Sequence, residues 1–454
     1  MENVQDASSR GVVIGHDHRH NSEKWAQLAA AAFLQKGMKV YLHRGIVHTP
    51  LYVVLDFSVK VYLPKCRVPF SVKRLRAACG VMITGEENPF SAPSAAYEHS
   101  AISQPQPKAF ERYGIQFKPV IEQQLPDPNF PTVSYPNPEE KGALDLALQT
   151  ASQEHINYVL AQDPDADRFA AAERQADGTW VTFTGDQLGV VFAGHLFDAY
   201  QASGKPVSKL AMVASTVSSK MVEAMAKSEG FKFADCLTGF KYIGNKAVDL
   251  VAQGYEVPFG YEEAIGFMFG SEIRDKDGVA ASVVFAQLAA ILSAHGTTVK
   301  SYLDGLYVRY GFFKTSNSYF ICKDPVTIDG IFQRIRKFKQ GASQAMLQYP
   351  QQIAGLHVTS VIDLTTGYDS SNPPTYKPQL PLSSGHMIQF RAERDSDGSK
   401  IVLTVRTSGT EPKIKYYLEG SGKDRNVVAR LLEQVVEELG DVWMEAEKNN
   451  LSKP

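Results

Sequence analysis

The chain has 454 residues, of which 44% are hydrophobic and 21% charged, with a formal net charge of -2. That length suits about two to four domains, and the near-neutral balance excludes the basic footprint of a nucleic-acid or anionic-membrane binder. No apolar run reaches membrane-spanning length. The polar opening, Met1 to Arg10, does not read as a secretory signal. Cys66, Cys79, Cys236 and Cys322 are scattered without a CxxC pair, as in a cytoplasmic protein with reduced thiols.

Residues 11–15 read as a short buried strand. Asn21 and Ser22 are placed to cap a helix running through Trp25, Leu28, Ala29, Ala32 and Leu34, which Gly37 ends. Residues 39–42 begin a second strand, and this β-α-β unit favours a parallel sheet. Residues 80–84 read as a further strand, whereas 85–110 carry little periodicity. From about Lys141 to Ala294 helix and strand alternate, with helices over 143–150, 188–200, 218–227 and 279–292 and a strand over 210–214. From about Tyr319 the pattern changes. Alternating strands over 387–392 and 401–405, a turn at 395–398, a Pro-rich loop at 370–381 and an amphipathic helix over 425–447 describe a separate α+β domain.

Within this frame the run Gln162-Asp163-Pro164-Asp165-Ala166-Asp167-Arg168 stands out. An apolar run, 158–161, leads in and another, 169–172, leads out, so a strand ends in a tight loop and resumes. An acidic surface turn would account for Asp and Pro. It does not call for three alternating carboxylates abutting an arginine. Three hard oxygen donors on one loop suit a small divalent cation such as Mg²⁺. Adjacent Glu262 and Glu263, in Gly260-Tyr-Glu-Glu-Ala-Ile-Gly266, are placed to accept hydrogen bonds from vicinal sugar hydroxyls, or equally to favour a helix dipole. Arg406-Thr-Ser-Gly-Thr-Glu-Pro-Lys413 puts a guanidinium, hydroxyls and a glycine after a strand, which makes a phosphate cradle. The turns 237–241 and 274–278 are weak signals alone. His16, His18 and His20 fall on one side of an extended segment, but no further ligands accompany them. Arg19 with Asn21 and Ser22 reads better as a polar strand-end loop with a helix cap.

Taken in order, these loops resemble the α-D-phosphohexomutase superfamily, most closely its phosphopentomutase and phosphoglucomutase-2-like branch. The matching stretches are residues 11–22, 80–84, 163–168, 216–220, 238–241, 260–266, 275–278 and 406–413. The resemblance implies mixed α/β domains around a cleft plus a C-terminal α+β domain. The divisions would be 1–104 (a remnant of domain 1), 105–206 (partial domain 2), 207–312 (domain 3) and 313–454 (domain 4). It implies an isomerase that moves phosphate between C1 and C5 of a pentose, or C1 and C6 of a hexose, through an enzyme phosphoserine. By the same likeness Asp163, Asp165 and Asp167 hold Mg²⁺, with Arg19 and Arg168 beside the reacting phosphate. Thr238, Gly239, Lys241, Glu262 and Glu263 hold the sugar, and Arg406, Ser408, Gly409 and Thr410 hold the other phosphate. The implied partners are phosphorylated sugars and sugar bisphosphates, not nucleic acid or membrane.

The chain departs from that pattern in its first part. The phosphoserine loop reads Thr84-Gly85-Glu86-Glu87-Asn88-Pro89, with Glu86 where the serine stands in the family. Glu86 offers one negative charge against the roughly -1.5 to -2 of a phosphoserine, and no phosphoryl group to give. The run 52–67 is extra, and the joint at 91–108 replaces on the order of a hundred residues, about a small domain. The expectation is a mutase family member inactive as written. The alternatives are a non-catalytic sugar-phosphate-binding protein and the product of a disrupted gene model.

Overall fold

The computed structural model describes residues 7–43, 46, 79–83, 118–125, 127–338, 349–408 and 412–452. Glu86 and its loop, the extra run 52–67, Gly409 and Thr410 lie outside the described residues. The chain divides into two compact units: residues 1–218 with 229–303, and residues 219–228 with 304–454.

Among the described residues the first unit contains three small sheets. In the first, β1 (Val12–His16) lies between β2 (Val40–Leu42) and β3 (Cys79–Ile83), parallel to both. The helix Ser22–Gln35 buries Ala26 and Ala30 against Val12 and Ile14, so the expected parallel β-α-β unit is present. Asn21, however, is not the expected cap. It sits in the left-handed region at φ 65° with no side-chain capping bond, and the Ser22 hydroxyl donates instead to Asp17 at 2.6 Å.

The second sheet is an antiparallel meander of β4 (Tyr158–Ala161), β5 (Ala170–Arg174) and β6 (Trp180–Thr182). The pair Ala161–Ala170 closes β4 on β5, so residues 162–169 form the connecting loop. The third sheet holds β7 (Leu210–Ser215), β8 (Lys232–Cys236), β9 (Glu256–Glu262) and β10 (Gly266–Phe269) in the order β10-β9-β7-β8. Strand β7 is buried along its whole length, as expected of a strand with parallel neighbours and covered faces. The helix Phe240–Ala252 packs Phe240, Ile243, Ala247 and Leu250 beside Val213 and Val257. The helix Gly185–Ala202 starts with a capping box between Thr184 and Gln187. The helix Gly278–Ala294 starts with the Asp277 carboxylate accepting from the Ala280 N–H.

The second unit is built on an antiparallel sheet with the order β11 (Phe312–Thr315), β18 (Lys413–Gly422), β17 (Ser399–Thr407), β16 (Met387–Arg394), β14 (Leu356–Asp363), β13 (Gln352–Ile353). Here β12 (Ser318–Ile321) also pairs with β18, and β15 (Tyr368–Asp369) with β14. Helices Pro325–Arg336 and Arg425–Glu438 supply Phe332, Ile335, Leu431 and Val435 to a core with Phe390, Leu403 and Leu418. The closing helix is shorter than the expected 425–447. The α-helix ends at Glu438 and widens into a π-turn over Leu439–Trp443, which keeps Leu439 and Trp443 buried.

Candidate functional site

The loop between β4 and β5 folds back on itself through two local bonds. The Ala166 N–H donates to the Asp163 carbonyl at 2.9 Å, and the Arg168 N–H to the Asp163 carboxylate at 2.9 Å. Ala166 adopts φ 56°, a left-handed conformation rare for residues other than Gly, Asn and Asp. The turn brings one carboxylate oxygen each from Asp163, Asp165 and Asp167 within 4.8 Å of one another, and all three side chains are buried. Three like charges in one buried place are costly. Burial, reinforced by Asp165 and Asp167, holds the Asp163 carboxyl well above its usual range. Burial and then Asp165 push Asp167 up to about 6, against the opposing pull of Lys276.

Cations from three separate segments meet these carboxylates. Arg168 Nε lies 3.7 Å from Asp163, Arg19 Nη2 3.5 Å from Asp165, and Lys276 Nζ 2.8 Å from Asp167. Arg19 is positioned by Asp17, whose carboxylate takes the Arg19 N–H at 3.1 Å and lies 3.2 Å from the Arg19 guanidinium. The three histidines around Arg19 do not converge. His16 faces the Asp17 carbonyl, His20 faces Asn129, and His18 packs edge-on to Phe130.

The glutamate loop is stitched to the aspartate loop by backbone. Arg168 and Gly266 form an antiparallel bridge, and the Phe169 N–H donates to the Ile265 carbonyl at 3.0 Å. Gly278, opening its helix, donates to the Ala166 carbonyl at 3.1 Å. Its approach leaves no room for a side chain, since a Cβ there would fall 2.2 Å from the Arg168 carbonyl oxygen. Glu263 accepts from the hydroxyls of Ser215 at 3.0 Å and Ser218 at 3.4 Å. Glu262, the last residue of β9, accepts from the Gly239 N–H at 3.2 Å. Burial, then the neighbouring Glu263, pushes Glu262 up to about 7. Thr238 and Gly239 precede the helix Phe240–Ala252, whose exposed Lys241 lies over the Tyr242 ring.

The structure therefore gathers Arg19, Asp163, Asp165, Asp167, Arg168, Gly239, Glu262 and Glu263 within the first unit. It adds Asp17, Ser215, Ser218 and Lys276, which sequence reasoning did not single out as site residues. Ser218 and Lys276 fell within the stretches 216–220 and 275–278, which carried the resemblance without a role. In the second unit Arg406 is the penultimate residue of β17, and Ser408 follows the strand. The Arg406 guanidinium donates to the Tyr417 hydroxyl at 2.8 Å, while its buried Nε has no partner among the described residues. The Ser408 N–H donates to the Lys413 carbonyl at 3.0 Å, closing the loop between β17 and β18.

These features define a class of protein. The phosphoglucomutase/phosphomannomutase family matches in four successive parts: domain I over residues 1–124, the α/β/α domain II over 95–178, the α/β/α domain III over 184–310, and the C-terminal domain over 379–438. The chain belongs to this family and has its mixed α/β multi-domain fold. It is similar to the glucose 1,6-bisphosphate synthase of Homo sapiens, 35% identical over 97% of this chain and 81% of that protein. It is similar as well to the phosphopentomutase of Homo sapiens, 34% identical over 98% of this chain and 84% of that one. Among solved structures it resembles the open form of pp63/parafusin, a phosphoglucomutase from Paramecium. That match has a TM-score of 0.61 at 14% identity, over 99% of this chain and 90% of that one. The alignment with the phosphopentomutase runs over 540 positions while covering 98% of this 454-residue chain, so it carries gaps in this chain. The family's domains I and II overlap on this chain at 95–124.

Proposed function

We propose that this phosphosugar mutase relative binds a divalent cation and a pentose or hexose phosphate but performs no mutase turnover as written. The observation that carries the binding half is the loop geometry: Asp163, Asp165 and Asp167 converge within 4.8 Å and are joined by backbone bonds to the loop of Glu262 and Glu263. A hard, buried, all-carboxylate set fits Mg²⁺ or Mn²⁺. Burial, then mutual repulsion, raises the Asp163 and Asp167 carboxyls, a cost that a bound dication would offset. When bound, such an ion supplies charge neutralisation to a transferring phosphoryl group. In this reading Arg19 and Arg168 flank that group. Thr238, Gly239, Lys241, Glu262 and Glu263 orient the sugar, and Arg406, Ser408, Gly409 and Thr410 hold the non-reacting phosphate.

The missing half is the nucleophile. The family reaction needs a residue that carries the phosphoryl group, and Glu86 stands at that place in the sequence. The divisions at 104, 206 and 312 are proposed on the same footing. The order of the family matches supports four successive domains, while the domain III match begins at residue 184, before the proposed 206. Cytoplasmic placement is proposed from the buried free thiols of Cys236 and Cys322 and the polar ligand. Among the described residues no single helix is long and apolar enough to cross a membrane. Calorimetric titration with Mn²⁺ tests the binding half: binding should vanish in Asp163→Ala and Asp165→Ala. Unchanged binding by both variants would show that the cation sits elsewhere.

A further inference from the structure

Lys276 occupies a place between the two loops. Its ammonium pairs with Asp167 at 2.8 Å and lies 5.7 Å from the centre of the Phe240 ring. Its stem runs beside Glu262. A Cβ built on Gly266 would meet the Lys276 Cδ at 3.0 Å and the Glu262 Cγ at 3.2 Å, so the two side chains flank one point. The ammonium is thus bonded to a carboxylate of the aspartate loop and lies near enough to the Glu262 carboxylate of the glutamate loop to interact with it electrostatically.

Asp167 is also one of the three carboxylates grouped for a cation, and an ammonium 2.8 Å from one of its oxygens opposes a divalent ion at the same group by like-charge repulsion. We propose that Lys276 competes with the divalent cation for Asp167 and, once displaced, donates to the sugar held at Glu262, coupling the two ligands positively. This rests on the reading of the site as a metal and sugar-phosphate site. The coupling is reciprocal by thermodynamic necessity. A sugar phosphate that draws Lys276 away exposes Asp167 to the metal, and a metal that evicts Lys276 frees a donor for the sugar. Lys276 is thus a positioning residue whose charge moves between two subsites.

The test measures Mn²⁺ affinity of the full chain by calorimetry, with and without saturating ribose 5-phosphate, for wild type, Lys276→Gln and Lys276→Arg. Near-ultraviolet circular dichroism checks that each variant is folded. Wild type should bind Mn²⁺ several-fold more tightly when ribose 5-phosphate is present, within the usual coupling range of about 5- to 150-fold. Lys276→Gln should bind Mn²⁺ alone about tenfold or more tightly than wild type, the scale of one charge-assisted hydrogen bond. Its affinity should no longer respond to the sugar phosphate. Lys276→Arg, which keeps the competing charge, should stay near wild type for Mn²⁺ alone. A folded Lys276→Gln with wild-type or weaker Mn²⁺ affinity, or with the sugar response intact, overturns the proposal. If wild type binds both ligands and Asp163→Ala abolishes the metal, that failure is confined to Lys276. If wild type binds no Mn²⁺ at all, the metal reading fails with it.

Discussion

Replacing Gly278 with alanine tests whether the aspartate loop is held by close backbone contact. A Cβ at Gly278 would lie 2.2 Å from the Arg168 carbonyl oxygen, 2.8 Å from its carbonyl carbon and 2.9 Å from the Ala166 carbonyl oxygen. These are backbone atoms with no rotamer to change. Ordinary contact begins near 3.4 Å, so the loop and the helix start must separate by about 1.2 Å at the closest point. Metal-ligand distances tolerate only about 0.2 Å, so a shift several times larger spoils the convergence of Asp163, Asp165 and Asp167. The move also strains the Gly278 N–H bond to Ala166 and the Gln162 amide bond to the Gly278 carbonyl. Overpacking typically costs about 1–3 kcal/mol, and a buried polar group left unmatched about 1–3 kcal/mol more. The expected result is a destabilisation of roughly 2–5 kcal/mol in thermal or urea unfolding, with Mn²⁺ affinity reduced at least about tenfold in calorimetry. Wild-type melting together with wild-type Mn²⁺ affinity in Gly278→Ala would refute the reasoning.

Gly305 and Gly330 lie in the helices Val299–Tyr310 and Pro325–Arg336 with nothing within 4 Å of a built Cβ. Alanine at either place should stabilise the chain by about 0.5–1 kcal/mol in urea titration, and a loss of stability would show that these backbones need glycine. Glu419 is buried, and its carboxylate accepts from the Lys220 N–H at 2.7 Å. Burial pushes its pKa up to about 7, against the lowering pull of the Ser219 and Lys220 hydrogen bonds. A carboxyl raised in the folded state binds more protons there than when unfolded. Its contribution therefore favours folding below about pH 4.5 and is lost as pH rises through about 7. Glu419→Gln should flatten the stability profile between these values by up to roughly 3 kcal/mol, and an unchanged profile would count against the assignment. Arg406→Ala should weaken ribose 5-phosphate binding to the full chain about tenfold to a hundredfold, the scale of a hydrogen bond to a charged group. Unaltered affinity would show that the phosphate is held by other residues.

The aspartate loop was legible because its chemistry is local: the donors alternate over five residues between two apolar runs, and the hairpin β4–β5 follows from the same pattern. Lys276 was not, because nothing within its own loop distinguishes it from a solvated turn residue. Its role depends on the backbone bridge from Arg168 to Gly266, a contact across about a hundred residues. Ala166 illustrates a similar limit, since alanine carries no signal for the left-handed conformation its neighbours impose. Asn21 stands at the cap position its signal indicated but makes no side-chain capping bond, and the Ser22 hydroxyl turns to Asp17 instead. The end of the closing helix was over-read for a different reason. The apolar periodicity does continue through Leu439 and Trp443, and both are buried, but the hydrogen bonds beneath it widen from α to π. Burial pattern reports the face a residue presents, not the register of the bonds that present it.

The central claim is that this chain keeps the binding loops of a phosphosugar mutase without its phosphoryl carrier. The most direct measurement incubates the purified chain with Mn²⁺ and glucose 1,6-bisphosphate labelled in its phosphates, then follows both covalent label on the protein and conversion of ribose 1-phosphate. The account predicts Mn²⁺ binding that depends on Asp163, no covalent label, and no conversion. Stoichiometric labelling accompanied by turnover in the usual enzyme range of about 1 to 10³ s⁻¹ would contradict it.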